Sequence, residues 1–454
     1  MNYNPILIAL LAAWMYSGVY VLGYIDRRET VPVRGREWLN LAALLAGPAV
    51  IAVFFLYDFW NQVKENFDSI FRKVNAKRYD VEIELRDSRG QPVLESGQHG
   101  ESGEAILRLK HLLYDALSRR ASDIFFDPKP NGTLAVRFRV DGALRLVEEM
   151  NINLGASVVS AIKVAAGMDI TEKRRPQDGA FSAESAKGPA SFRVASVGAF
   201  GGEKITVRVL ASSAGPITLR DTGLTGENLK IMQNAVRMPS GMILICGPTG
   251  SGKTTTLYAL LQAIDYSLKN VISIEDPIEH VMENISQMEV NNKADITFAK
   301  LLRNALRQNP DIICLGEIRD EETAEMAIRS SLTGHLLLST LHTNSAWGCI
   351  TRLTDMGVHP YLISETLIAC IAQRLVRLLC PHCKSSSGKA VGCPQCHYTG
   401  YLGRKAIYEV VRIDDTLSAA VRENVRDVSG ILSQKGVRTL RESAMSLYES
   451  GETS

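Results

Sequence analysis

At 454 residues the chain is long enough for two or three domains. Its formal net charge of only +2 gives bulk electrostatics no hold on nucleic acid, so no nucleic-acid partner is expected. Four of the eight cysteines stand alone in apolar surroundings (Cys246, Cys314, Cys349, Cys370) and four pair as C-x-x-C, which suits a reducing compartment and a metal site rather than a secreted disulfide scaffold.

Residues 5–25 carry no charge; as a helix that length spans about 31 Å, close to a bilayer core. A second apolar stretch, 41–57, is interrupted by Gly47-Pro48 and flanked by Trp38 and Trp60, where aromatic rings favour the interface. Together they predict an N-terminal hydrophobic helical hairpin, residues 1–62, anchored in the cytoplasmic (inner) membrane. No basic n-region precedes the first segment, which argues against a cleaved signal peptide. The intervening loop holds Arg27, Arg28, Arg34 and Arg36 against the positive-inside tendency, while Lys64, Arg72, Lys73, Lys77 and Arg78 pull the other way. Two spans are preferred; a single span with the second segment re-entering the membrane is the alternative. Residues 63–103 then read as a juxtamembrane helix followed by a flexible linker rich in Gly, Ser and charge.

Order begins near Glu104. Ala105 to Ser118 has helical periodicity; Ser122–Phe126 and Leu134–Val140 alternate as strands around the turn Asn131-Gly132, and Asp141-Gly142 makes another. A second helix over 156–167 and two strands around Gly201-Gly202 complete a small α+β (PAS-like) domain, residues 104–215, closed by a Ser/Gly/Pro linker. Arg137, Arg139 and Arg208 alternate with apolar residues on these strands. They are either a solvated strand face or guanidinium forks that reach a bound phosphate.

Residues 216–454 carry the chemistry. The apolar strand Met242–Cys246 runs into Gly247-Pro248-Thr249-Gly250-Ser251-Gly252-Lys253-Thr254, which fills G-x-x-x-x-G-K-[ST]. Thr255 and the helical Leu257, Leu260 and Leu261 follow. A strand, a glycine-rich turn and a helix N-terminus make an anion cradle for ATP. Lys253 would reach the β- and γ-phosphates and the Thr254 hydroxyl would ligate Mg²⁺. Strands ending in Glu275-Asp276-Pro277-Ile278-Glu279 and in Gly316-Glu317 bring carboxylates to the sheet edge where such ligands bind, able to hold Mg²⁺ or to activate water. Leu336–Thr340 is a third strand, ending near His342, which is placed to sense the γ-phosphate.

Cys380-Pro381-His382-Cys383 and Cys393-Pro394-Gln395-Cys396 form two C-x-x-C knuckles within an insert at 380–396. The spacing favours a closed tetrahedral Zn²⁺ site over a redox dithiol, and His382 and His397 leave a Cys₃His variant open. Helices are expected from 413 to 450.

Gly247–Thr254, the Glu275–Glu279 run, Leu315–Asp320 and Thr333-Gly334-His335 through Asn344 resemble, in order, the Walker A, Asp-box, Walker B and His-box motifs of the GspE/PilB secretion ATPases of type II secretion and type IV pilus assembly. The likeness runs through Ala372–Arg377 and Gly400–Lys405 and covers about 104–443. It implies a RecA-like ATPase domain and a homohexameric motor that works against an inner-membrane platform protein. In that reading Glu317 is the Walker B acid and Glu279 the catalytic Asp-box carboxylate, with Glu275 the second candidate. His342 belongs to the His box, and Arg137, Arg139 or Arg208 are arginine-finger candidates. The tetracysteine segment marks assembly motors of the family. The chain departs from it at Phe125, where histidine is usual, and at Ala180, where arginine is usual. A RecA-like DNA translocase or a conjugation or competence ATPase is the competing function.

Overall fold

The computed structural model describes residues 83–454 except 88–89, 94–100, 186–187, 212–216, 292–293 and 386–387, together with Trp14 and Tyr16. The expected membrane hairpin and juxtamembrane helix lie outside the described residues, apart from those two aromatic positions. Among the described residues no helix is long and apolar enough to cross a membrane.

Residues 83–454 carry two seven-stranded sheets. The first is antiparallel throughout, in the order β1-β5-β6-β7-β2-β3-β4. Its strands are β1 (Ile83–Arg86), β2 (Ala121–Pro128), β3 (Thr133–Val140), β4 (Ala143–Asn151), β5 (Gln177–Ser185), β6 (Gly188–Ala199) and β7 (Gly202–Ala211). Helices α1 (Glu101–Ser118) and α2 (Ile152–Ala165) pack on each other and on β2, β3 and β4. The two predicted turns form because Gly132 (φ 77°), Asp141 (φ 48°) and Gly142 (φ 84°) take left-handed conformations that match strand twist. β1 falls inside residues 63–103, the stretch expected to be juxtamembrane helix and linker. Its alternation buries Ile83 and Leu85 while Glu84 faces solvent, enough to add an edge strand to β5.

The second sheet has the order β10-β9-β11-β12-β8-β13-β14 and is parallel except for the β13–β14 pair. It comprises β8 (Gly241–Cys246), β9 (Val271–Glu275), β10 (Ser286–Glu289), β11 (Ile312–Leu315), β12 (Leu336–Leu341), β13 (Leu367–Leu379) and β14 (Tyr401–Arg412). On β8, Met242, Leu244 and Cys246 join the core on one face and Ile243 and Ile245 the core on the other. That is why the strand reads as an unbroken apolar run rather than an alternating one. Helices α3 (Gly226–Ala235) and α4 (Lys253–Gln262) cover one face. The other is covered by α5 (Phe298–Ala305), α6 (Glu321–Leu332), α7 (Gly348–Asp355), α8 (Pro360–Thr366) and α9 (Asp415–Arg422). Short helices α10 (Ser429–Gln434) and α11 (Leu440–Glu449) finish the chain as expected. The polar tail after them is anchored: Leu379 N–H donates to Glu452 O at 2.8 Å, and the Thr453 hydroxyl to Arg377 O at 2.8 Å.

Candidate functional site

Parallel strands deliver their C-terminal ends to one edge, and β8, β9, β11 and β12 there carry the four motifs singled out in the sequence. The phosphate loop leaves β8 at Gly247, where a Cβ would lie 2.5 Å from Ser251 Oγ and 2.6 Å from Gln373 O. Only glycine lets the backbone come that close. Gly250 (φ 77°) and Gly252 (φ 89°) turn the chain through left-handed conformations into α4, which therefore starts with no side-chain cap and no acid in its first turn. Uncapped N–H groups and the helix dipole suit an anion. Ser251 Oγ is buried with no hydrogen-bond partner, a polar atom of the kind a phosphate oxygen would satisfy.

Lys253 is buried, its Nζ donating to Gly247 O at 2.8 Å and Pro248 O at 3.2 Å. Burial lowers its pKa, and the Glu317 carboxylate pulls the other way. Thr254 is half-buried and Thr255 exposed on the same first turn. Gln373 on β13 braces the loop from behind, its Oε1 accepting from Thr256 Oγ1 at 2.8 Å.

Across from the loop, Glu317 follows β11. Arg319 donates to its Oε1 at 2.6 Å and also to Asp276 Oδ2 at 3.3 Å, so one guanidinium joins Glu317 to the acidic run that follows β9. His342 Nε2 lies 3.3 Å from Glu317 Oε2. Burial raises the Glu317 pKa, but Arg319 and then His342 outweigh it and hold the carboxyl below its usual range.

The two Asp-box glutamates differ sharply. Glu279 is exposed, with no side-chain hydrogen bond or ion pair among the described residues. Glu275 is buried and engaged: Ser273 Oγ (2.6 Å) and Gln287 Nε2 (3.0 Å) reach one oxygen and Tyr258 Oη (2.5 Å) the other.

The three arginines read as finger candidates sit on the first sheet, paired with acids. Asp123 takes Arg139 and Arg208, each at 3.2 Å, and Asp127 takes Arg137 at 2.7 Å and Lys204 at 2.8 Å. Phe125, at the departure noted above, lies under Arg139 and Lys204. The residue of this sheet that does hydrogen-bond to the Asp-box loop is Arg193, whose Nη2 donates to Ile278 O at 3.0 Å. Sequence reading missed it, although it pairs in register with Arg208 and alternates with buried Phe192 and Val194. Arg374, within the Ala372–Arg377 stretch noted in the sequence, had been given no role. Its guanidinium bonds to Gln373 O (2.9 Å) and to Asn344 O (3.1 Å), joining the strand behind the phosphate loop to the His-box turn.

A second constellation closes the β13–β14 hairpin. The Sγ atoms of Cys380, Cys383, Cys393 and Cys396 all lie within 4.8 Å of one another, with 3.9 Å between Cys380 and Cys393, 3.7 Å between Cys383 and Cys396, and 3.8 Å between Cys393 and Cys396. Tetrahedral Zn–S bonds of about 2.3 Å require S···S separations of about 3.8 Å. The donor set therefore fits Zn²⁺ and not a disulfide pair. Burial raises the Cys396 pKa, but N–H groups of Cys393 and Gly400, 3.2 Å from its sulfur, lead the effects that bring it down to about 6. His382 and His397 are not members of the cluster. The other four cysteines are free and buried.

A family model for type II/IV secretion system proteins matches residues 99–454. The type II secretion system protein HxcR of Pseudomonas aeruginosa is 45% identical over 359 residues, covering 78% of this chain and 76% of that protein. The type II secretion system ATPase E of Vibrio cholerae is 40% identical over 379 residues, covering 77% and 75%. Among solved structures, the pilus retraction motor PilT with bound ADP superposes with a TM-score of 0.55 at 26% identity, covering 76% of this chain and 94% of that one. The ATPase DotB of Legionella pneumophila shares the fold, with a TM-score of 0.59 at 22% identity over 77% and 93%.

Proposed function

Since the chain belongs to the type II/IV secretion system protein family, we propose a division of labour among its residues in the reaction. The protein is a secretion ATPase that couples ATP hydrolysis to protein transport. Its phosphate loop, Gly247 to Thr254, cradles the triphosphate, with Lys253 on the β- and γ-phosphates and Thr254 and Thr255 on the first helical turn. Mg²⁺, when bound, neutralises charge on the phosphate oxygens, and Thr254 and Glu317 are the residues to hold it and its waters. Glu279, the uncommitted Asp-box carboxylate, accepts the proton of the attacking water. His342 and Arg319 orient Glu317, and Arg319 keeps the Asp box in step with it.

The observation that carries this assignment is the gathering of Lys253, Glu317 and His342 at one sheet edge, with Arg319 bonded to both acidic motifs. Glu279→Gln should reduce turnover by about a hundredfold or more with nucleotide affinity retained. Full turnover in that variant would remove Glu279 from the role.

Assembly and cofactors extend the same reading. A homohexamer places Arg137, Arg139 or Arg208 of one subunit near the triphosphate of the next, where a guanidinium stabilises transferred charge. Zn²⁺ closes the four-cysteine hairpin, and in the family resemblance that feature goes with assembly of a pilus or pseudopilus. Residues 1–62 anchor the motor at the inner membrane beside a platform protein, with the ATPase facing the cytoplasm. Cross-linking between subunits, and separately to membrane lipid, tests those two statements.

A further inference from the structure

Tyr258 lies on α4, one turn beyond Thr254, with its ring in the core beneath the phosphate-loop helix. Its hydroxyl leaves that core to meet the Asp-box loop. It donates to Glu275 Oε2 at 2.5 Å and accepts from the backbone N–H of His280 at 3.3 Å, and the tyrosine and imidazole rings meet edge to face with centroids 5.5 Å apart. Gln287 adds a second tie, donating to both Glu275 Oε1 (3.0 Å) and His280 O (2.9 Å). One residue back from Glu279, Ile278 is also fixed: its N–H donates to Glu289 (3.3 Å) and its carbonyl accepts from Arg193 (3.0 Å). The Glu279 side chain has no hydrogen bond or ion pair among the described residues, but both its neighbours in the chain are held.

We propose that Tyr258 and Glu275 are positioning residues that clamp the Asp-box loop to the helix bearing Lys253 and Thr254, so that Glu279 is presented to the triphosphate at a fixed height. The proposal rests on the reading of Glu279 as the proton acceptor. Glu275 is thereby removed from the catalytic pair. A buried carboxylate with donors on both oxygens is spent on structure, and its exchange with solvent water would cost those bonds. The clamp also gives the first sheet a route to the site, because Arg193 pulls on the same loop that Tyr258 holds. Losing the hydroxyl alone leaves the aromatic packing and frees one side of that loop. Displacements of about 1 Å at a catalytic group cost up to about a hundredfold in rate.

The test uses the full-length chain and steady-state ATP hydrolysis. Tyr258→Phe should lower kcat by roughly 10- to 100-fold, with KM for ATP within about twofold. Glu275→Gln keeps the shape and should lose less than Tyr258→Phe. Combined with Glu279→Gln, Tyr258→Phe should cause no further loss, because both act on one group. A merely structural tyrosine would instead reduce the melting temperature and the fraction of chains that bind nucleotide. It would leave kcat per bound nucleotide unchanged, and its effect would add to that of Glu279→Gln. Either result overturns the clamp. Wild-type protein without ATPase activity, or Glu279→Gln with full activity, would overturn the reading on which the clamp rests.

Discussion

Cys396→Ala tests the zinc hairpin where its consequences are largest. The substitution removes one of the four clustered sulfurs that would hold the metal, and it leaves the N–H groups of Cys393 and Gly400 without the sulfur they now share. Hydrogen bonds to a charged acceptor contribute about 1.5–3 kcal/mol each, so the two account for about 3–6 kcal/mol before the metal is counted. A structural zinc site adds about 10 kcal/mol or more of apparent binding energy. That exceeds what the apolar residues of a hairpin tip this short supply, so residues 381–385 and 388–399 should lose their ordered form. The damage should stop at the stem. β13 and β14 stay paired from Ala369–Arg412 to Leu379–Tyr401, and the C-terminal tail bonds to the same region. Wild-type protein purified under reducing conditions should hold one zinc per chain, with X-ray absorption showing four sulfurs at about 2.3 Å. The variant should lose the metal and become protease-sensitive within the insert, while nucleotide binding persists. Folded wild-type protein with no zinc and protease resistance equal to the variant's would refute the argument.

Three further outcomes follow from the geometry. Gly247→Ala should cost about 1–3 kcal/mol from overpacking against Ser251 and Gln373. Gly250→Ala, where nothing lies within 4 Å, should cost only its left-handed strain of about 1–2 kcal/mol with no steric displacement of the loop; nucleotide-free thermal unfolding and the ATP affinity of each variant distinguish the two, and equally impaired affinity would contradict the packing argument. Burial raises the Asp127 pKa, but Lys204 and Arg137 overcome it and hold the carboxyl below its usual value. Its stabilising contribution is therefore complete above the ordinary carboxylate pKa of about 3.9 and fades as pH falls through the lower folded value. Asp127→Asn should lower the melting temperature at pH 7, with the gap narrowing in acid; a constant gap down to the acid-unfolding limit would count against it. Arg319→Ala, which cuts both acidic motifs from their shared cation, should slow hydrolysis more than it weakens nucleotide binding, read as kcat against KM.

Four strands of the second sheet, β8, β9, β11 and β12, were legible because they are buried on both faces, whereas β10, β13 and β14 were not read as strands. Met242–Cys246, Ile312–Leu315 and Leu336–Leu338 are unbroken apolar runs, each followed by a motif whose chemistry requires fixed spacing. The cysteine hairpin was legible for the same reason: two C-x-x-C pairs leave few geometries. What escaped was whatever depends on partners distant in sequence. Glu275 and Glu279 are equally acidic in the sequence, and only Tyr258, Gln287 and Ser273 separate a committed carboxylate from a free one. The roles of Arg193 and Arg374 arise from strand register and, for Arg374, from contact with Asn344 30 residues away, so neither the alternation around Arg193 nor the Ala372–Arg377 likeness assigned them. Strand β1 went unread although Ile83, Glu84, Leu85 and Arg86 alternate, because an edge strand of four residues shows only two cycles of alternation.

The central claim is that this chain converts ATP hydrolysis into work through the edge of its second sheet. Phosphate release by purified, assembled wild-type protein, measured beside Lys253→Ala, tests it most directly. The variant loses the Nζ bonds to Gly247 O and Pro248 O but also a charge that burial disfavours, so it should stay folded. The account predicts magnesium-dependent turnover in the wild type and none in the variant. Wild-type protein that binds magnesium nucleotide without cleaving it, or a Lys253→Ala variant that turns over at the wild-type rate, would contradict it.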